Sequence, residues 1–249
     1  MANVRTEEVE LTVDGGKMPT FVAYPEAAGP RPVVLVFQEI FGVNDHIKSV
    51  ARRVAEEGYV AIAPDYHHRA WPTGTVLPYN EEGMKKGMEV IPKLTFDGIE
   101  KDIDACLAFA KTKKEVNTAK LGAMGFCIGG HMTYLAAATR PIAAAASFYG
   151  GGIATFAPPG GDKKKTIDRT GDIKGKIICF FGKEDPMISA DQVEAIKKAL
   201  AEHKVRHEVV VYDNASHAFF RDVDPRMHRE HAAKDAWERT KRLFKEELG

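Results

Sequence analysis

Residues 7–13 alternate charged or polar side chains with apolar ones, and residues 20–24 read as a partner strand. Asp14-Gly15-Gly16 between them is a turn signal, so a hairpin is expected to open the chain. The pattern then changes. Val33-Val34-Leu35-Val36-Phe37 is a continuous apolar run, the mark of a strand covered on both faces. Residues 44–57 place Ile47, Val50, Ala51 and Val54 on one stripe, which predicts a helix that Gly58 stops. A second buried strand is expected over residues 59–63.

The alternation repeats. Helices are predicted over residues 96–111, 128–139 and 191–203, with a long amphipathic helix over 225–247 closing the chain. Strands are predicted over residues 120–124, 143–149, 176–181 and 208–212. Strands alternating with helices imply an α/β fold: a mainly parallel sheet of about eight strands with helices on both faces and no large separate cap. Two stretches carry no such pattern. Residues 64–94 hold Pro64, Pro72, Pro78 and Pro92, too long for a plain connection, and are expected to make an excursion over one end of the sheet. Residues 150–175 are rich in Gly, Pro and Lys and read as surface loop, with Lys163-Lys164-Lys165 a solvated patch.

Composition narrows the function classes. Lys plus Arg and Asp plus Glu each number 35, so the formal net charge is zero. That argues against a general nucleic-acid binder or a coat for an anionic membrane, and neither partner is expected. Apolar runs such as residues 32–37 and 177–181 fall far short of the roughly 18 residues of a membrane span. The start, Met1-Ala2-Asn3-Val4-Arg5-Thr6-Glu7, lacks the apolar core of a signal peptide. Cys106, Cys127 and Cys179 are too few and too scattered for a disulfide framework or a zinc cluster. The expectation is a cytoplasmic protein with reduced thiols; monomer and small homo-oligomer stay open.

One of those thiols sits in a telling place. Gly125-Phe126-Cys127-Ile128-Gly129-Gly130 joins a predicted strand to a predicted helix and has the form of a nucleophile elbow, with Cys where Ser is usual. The turn is sharp enough to strain the nucleophile's backbone, and flanking glycines let strand and helix approach without Cβ clashes. The helix N-terminus would set N–H dipoles beside the sulfur, where they favour an anion. A cysteine packed in a glycine-rich turn, or a phosphate-binding loop, has the same local form.

Such an elbow needs an acid and a histidine later in the chain, in that order. Asp185 follows the strand at 176–181, and His217 follows the strand at 208–212. Both lie on loops at the carboxyl edge, where sites in open α/β sheets form. The three candidates, spread from 127 to 217, must meet on one sheet. A length that allowed one or two domains is therefore read as one, residues 1–249.

With Gln38-Glu39-Ile40-Phe41-Gly42-Val43-Asn44, Pro64-Asp65-Tyr66, the Gly125 to Gly130 elbow, Asp185 and Ser216-His217-Ala218-Phe219, the sequence resembles dienelactone hydrolase (carboxymethylenebutenolidase) through most of its length. The resemblance implies an α/β-hydrolase that opens a dienelactone to maleylacetate without a cofactor. It implies Cys127 as nucleophile, His217 as base and then acid, and Asp185 as the group orienting His217. Ile40 and Ile128 N–H would form the oxyanion hole. Glu39 would meet the resting thiol and help deprotonate it. Arg221 would hold a substrate carboxylate, a bidentate task suited to guanidinium.

The sequence departs from the family pattern at one point. The second substrate-binding arginine should lie after Thr75, yet residues 76–86 contain no Arg, and Arg69 and Lys85 are the substitutes at hand. Tyr149, before a triple glycine, either lines the pocket or is a core aromatic. No metal site is expected: His67-His68 and His228 with His231 lack companion ligands and read as surface histidines. A broader carboxylesterase or lactonase with the same Cys, Asp and His is one alternative; a thiol redox sensor at Cys127, or a receptor on a hydrolase fold, is another.

Overall fold

The computed structural model describes residues 4–26 and 29–249; residues 1–3, where the reading of the chain's start begins, lie outside them. Eight strands form one mixed sheet in the order β1-β2-β4-β3-β5-β6-β7-β8, with helices on both faces. The chain divides into two compact units, Met1–Leu121 with Pro158–Asp162, and Gly122–Ala157 with Lys163–Gly249.

In the first unit, β1 (Val4–Val13) and β2 (Gly16–Pro25) make the expected hairpin, turning at Asp14-Gly15. β1 keeps its alternation, with Glu8, Glu10 and Thr12 exposed. β2 runs against both its neighbours, and these are its antiparallel pairings with β1 and with β4 (Val60–Pro64). β3 (Arg31–Phe37) runs parallel to β4, Leu35 opposite Ile62. Its Val33, Val34, Leu35 and Val36 have no exposed surface, which is why the strand carries no polar alternation. Each such side chain contributes roughly 1.5–3 kcal/mol relative to exposure. Helix α1 (Asp45–Glu56) begins where the Asn44 side chain accepts the Ile47 N–H at 3.2 Å and ends before Gly58. The excursion is not without structure: α2 (Glu81–Met88) is capped by Asn80, and Gly87 lies so close to Ile40 that a Cβ would sit 2.6 Å from its carbonyl oxygen. α3 (Phe96–Lys111) occupies the predicted span, capped by Thr95.

β5 (Val116–Phe126) starts in the first unit and ends in the second, and is longer at both ends than its apolar run. The second unit continues with α4 (Ile128–Thr139), β6 (Ile142–Phe148), β7 (Lys176–Gly182), α5 (Ala190–Glu202), β8 (Arg206–Tyr212) and α6 (Glu230–Glu247). β6, β7 and β8 are parallel neighbours. Two expectations need correction. The last helix begins at Glu230, because Asp224 O accepts from Met227 and His228 N–H and the Arg229 N–H turns back to Phe219 O. The stretch 150–175 is more than surface loop: Thr166–Asp172 is a short 3-10 helix, and Ile153, Thr166 and Thr170 have no exposed surface. The three lysines at 163–165 are exposed, as expected. Among the described residues, no helix is long and apolar enough to cross a membrane.

Candidate active site

Cys127 stands alone between β5 and α4. Its backbone takes φ 57° and ψ −120°, a left-handed conformation that costs a non-glycine residue about 1–3 kcal/mol. The strain persists because the turn is fixed from several sides. The Cys127 N–H donates to Phe148 O at 3.1 Å, and the Ser147 hydroxyl donates to Gly130 O at 2.9 Å. The glycines of the turn are there for contact. A Cβ on Gly125 would stand 2.3 Å from Gly129 O, and one on Gly130 would stand 2.6 Å from Phe148 O. Ile128 is the first residue of α4, so its N–H is among the unpaired donors at the helix start, where the local field favours negative charge.

Asp185 and His217 come from the loops after β7 and β8. His217 Nδ1–H donates to Asp185 Oδ2 at 2.7 Å, and the Asp185 side chain has no exposed surface. The Asp185 Oδ1 also accepts the Met187 N–H at 2.8 Å, which fixes the carboxylate plane. With Nδ1 spent on Asp185, Nε2 is the ring atom left to act with Cys127. Burial of the ring works against protonation, but the Cys127 sulfur and the Asp185 carboxylate outweigh it, and the His217 pKa is pushed up to about 10. An imidazolium is therefore stable beside the sulfur at neutral pH. Cys127, Asp185 and His217, expected from the sequence as one ordered set, are brought together.

Tyr149 is fully buried, its ring edge-on to His217 with 5.1 Å between centroids and to Phe219 with 5.2 Å. Its backbone is left-handed too, at φ 38°, and its N–H donates to Phe180 O at 2.7 Å. Arg221, four residues after His217, is 5% exposed and lies 3.7 Å from the carboxylate of Asp224. That carboxylate and its second partner, Arg226, are site neighbours that the sequence reading missed; the Asp224-Pro225-Arg226 step one turn after Arg221 is the only local sign of them.

A further residue was missed on α4 itself. His131, one turn after Cys127, is buried between Gly151 O, 3.1 Å from Nδ1, and the Thr166 hydroxyl, 2.7 Å from Nε2. Burial pulls its pKa down to about 4. A neutral ring that donates from Nδ1 and accepts at Nε2 satisfies both contacts and ties the glycine loop after Tyr149 to the helix behind Cys127.

Glu39 and Ile40 belong to the first unit, on the segment that leaves β3, and both are 1% exposed. The segment is held by the Tyr66 hydroxyl, which donates to Gln38 O, and by the His67 ring, whose Nε2 lies 3.1 Å from Ile40 O and Nδ1 2.9 Å from Thr75 O. The Asp65 carboxylate accepts the His67 N–H at 3.0 Å, which accounts for the Pro64-Asp65-Tyr66 motif. His67 and His68 are thus not surface histidines: His67 has no exposed surface, and His68 Nε2 is 3.0 Å from Asp102. Both found distant partners that sequence spacing does not reveal. Arg69 is committed as well, with Nε and Nη2 each 2.7 Å from Asp102 and Nη2 2.7 Å from Gly98 O. Lys85 is exposed on α2.

The strand order, the carboxyl-edge loops and the strand–turn–helix at Cys127 define an α/β-hydrolase. The profile of the dienelactone hydrolase family matches residues 18–248, and the chain belongs to that family, hydrolases of ester bonds in small esters or lactones. A provisionally named carboxymethylenebutenolidase from Synechocystis is 40% identical over 246 residues, covering 99% of this chain and 98% of the relative. Among solved structures, one provisionally named dienelactone hydrolase from Klebsiella pneumoniae is 32% identical with a TM-score of 0.84, covering 98% of this chain and 99% of that one. A dienelactone hydrolase-like promiscuous phosphotriesterase from metagenomic libraries is 26% identical with a TM-score of 0.82, each chain covered in full.

Proposed function

We propose that the protein hydrolyses a small carboxylate-bearing lactone, a dienelactone opened to maleylacetate, through a thioester on Cys127. The observation that carries this reading is the second unit's own trio: a strained, helix-capping Cys127, a His217 whose imidazolium is favoured beside it, and a buried Asp185 on the far ring nitrogen. Proton transfer from sulfur to His217 leaves a thiolate, which attacks the lactone carbonyl. The oxyanion is met by the Ile128 N–H, and by that of Ile40 on the strength of the family resemblance. The enolate leaves, stabilised by conjugation, and takes up the proton held by His217. His217 then activates the water that hydrolyses the thioester. Glu39 is assigned by the same resemblance to meet the resting thiol and help its proton pass to His217, and in this reading both compact units work as one hydrolase domain, in the cytoplasmic breakdown of aromatic compounds.

Arg221 is assigned to the substrate carboxylate. The experiment is a panel of dienelactone isomers, simple aryl esters and neutral lactones, assayed on wild type and Arg221→Ala. The expected outcome is a KM for dienelactone raised roughly 10- to 100-fold by Arg221→Ala, with a much smaller change for neutral esters. Equal effects across the panel would remove the carboxylate from the account. A second reading, a broader carboxylesterase or lactonase with the same three groups, is favoured by one observation: Arg69, a candidate second carboxylate contact, is engaged by Asp102. A redox-sensor reading is disfavoured by the other thiols, since burial pushes Cys179 up to about 12 and Cys106 up as well, leaving neither prone to act as a resolving thiolate.

A further inference from the structure

Both ring nitrogens of His67 face backbone carbonyl oxygens. Nε2 stands 3.1 Å from Ile40 O and Nδ1 2.9 Å from Thr75 O, and the residue has no exposed surface. A carbonyl oxygen only accepts, and a neutral imidazole carries a single N–H. A neutral ring would therefore set one nitrogen lone pair against an oxygen lone pair, out of reach of water. An imidazolium, with a proton on each nitrogen, satisfies both contacts. A buried charge needs a counter-charge, and Asp65 supplies it: the residue is 2% exposed and its carboxylate accepts the His67 N–H at 3.0 Å. Burial raises the Asp65 carboxyl pKa, and the charge of His67 is foremost among the influences that lower it. The other acid nearby along this stretch is spent elsewhere, since Asp102 is met by His68 at 3.0 Å and by Arg69 at 2.7 Å.

The two carbonyls belong to different segments. Ile40 lies on the chain leaving β3, and Thr75 on the excursion. A Cβ on Gly42 would stand 2.7 Å from Thr75 O and 3.3 Å from His67 Nδ1, so ring and segment are in direct contact. The Leu77 N–H donates to Phe41 O at 3.0 Å and extends the seam. Tyr66, on the same short 3-10 helix (Tyr66–Arg69), braces the segment one step earlier. Its hydroxyl donates to Gln38 O and lies 3.4 Å from Glu39 O, the carbonyl of the peptide that carries the Ile40 N–H. That peptide is held from both sides by successive residues. We infer that His67 is an imidazolium and a positioning residue: by donating from both ring nitrogens, to Ile40 O and Thr75 O, it locks Ile40 to the excursion and fixes the direction of the Ile40 N–H. The functional part rests on the reading of that N–H as an oxyanion donor. His67 touches neither substrate nor reacting atoms; it acts through Ile40.

Two measurements test this. In protein labelled with nitrogen-15 in its histidine rings, the His67 signals, identified by their loss in His67→Gln, are expected to show a proton on each nitrogen at neutral pH. One protonated and one bare nitrogen would overturn the imidazolium. The second measurement is turnover of para-nitrophenyl acetate. In His67→Asn the shorter amide stays near the Nδ1 position and loses Ile40 O. Its kcat is expected to fall roughly 10- to 30-fold, less than for a missing oxyanion donor, with KM within about twofold. In His67→Gln the longer amide reaches the Nε2 position, so kcat is expected to stay within roughly threefold of wild type. Alkylation of Cys127 by iodoacetamide forms no oxyanion and should keep its rate in both variants. A wild-type kcat in His67→Asn overturns the positioning role. So does a His67→Gln enzyme as slow as His67→Asn, and so does a parallel fall in kcat and alkylation, which would mark general damage to the fold. Ile40→Pro, which removes the N–H, separates the two levels. If it hydrolyses the ester at the wild-type rate, the oxyanion reading of Ile40 has failed; if it is slow while His67→Asn is not, only the lock has failed.

Discussion

Replacing His217 with asparagine is expected to lower ester hydrolysis by about 10³-fold and to slow alkylation of Cys127 at pH 7 by roughly tenfold or more. The reason lies in the sign of the His217 shift. Its pKa in the fold, about 10, lies above the ordinary histidine value, so the imidazolium is held through neutral pH and lost as pH rises through about 10. Proton and positive charge are thus already beside the sulfur, and the asparagine variant loses both. In wild type, the iodoacetamide rate at pH 7 is expected to exceed that of His217→Asn, and the gap should close as pH rises through about 10 and the imidazolium is lost. In His217→Asn it should climb with pH like that of an ordinary thiol. Matching pH–rate profiles in the two proteins would mean that His217 does not act on Cys127.

The second large effect concerns the turn that presents the sulfur. Gly125→Ala is expected to destabilise the protein by about 3 kcal/mol, a fall in Tm of roughly 6–12 °C for a chain of this size. The added methyl would stand 2.3 Å from Gly129 O, 2.6 Å from Gly129 C and 2.7 Å from the Thr133 hydroxyl. Two of these atoms are backbone in the first turn of α4, so no rotamer change relieves them; strand and helix must part. Thermal unfolding of the variant checks this, and a Tm within a degree or two of wild type would show that the turn can open at little cost. The same parting would move Cys127 away from His217, so the surviving folded enzyme should also be slow.

The same turn explains why much of the fold is legible from the chain alone. α3 and α4 fall on the predicted spans because capping and stripe agree locally, Thr95 opening one helix and the glycine-rich turn the other. β3 was readable because burial on both faces leaves no alternation to misread. What stayed hidden depends on partners far along the chain. His67 looks like a surface histidine until Ile40 O and Thr75 O close on its ring, and Thr166 looks like loop until the His131 ring, 35 residues earlier, meets its hydroxyl. α2 was lost among prolines because Gly83 and Gly87, chosen for close approach, remove its apolar stripe. The trio at Cys127 was visible as an order of residue types on strand ends; Asp224 and Arg226 were not, since ion pairs between near neighbours leave no periodic trace.

The thioester is the claim on which the rest depends. Rapid acid quench of wild-type enzyme during turnover of para-nitrophenyl acetate, followed by peptide mass mapping, should find the acetyl group on the peptide containing Cys127. That adduct should be released by hydroxylamine and be absent from Cys127→Ala, whose hydrolysis should also be lost. An acyl group on any other residue, or undiminished turnover by Cys127→Ala, would contradict the account.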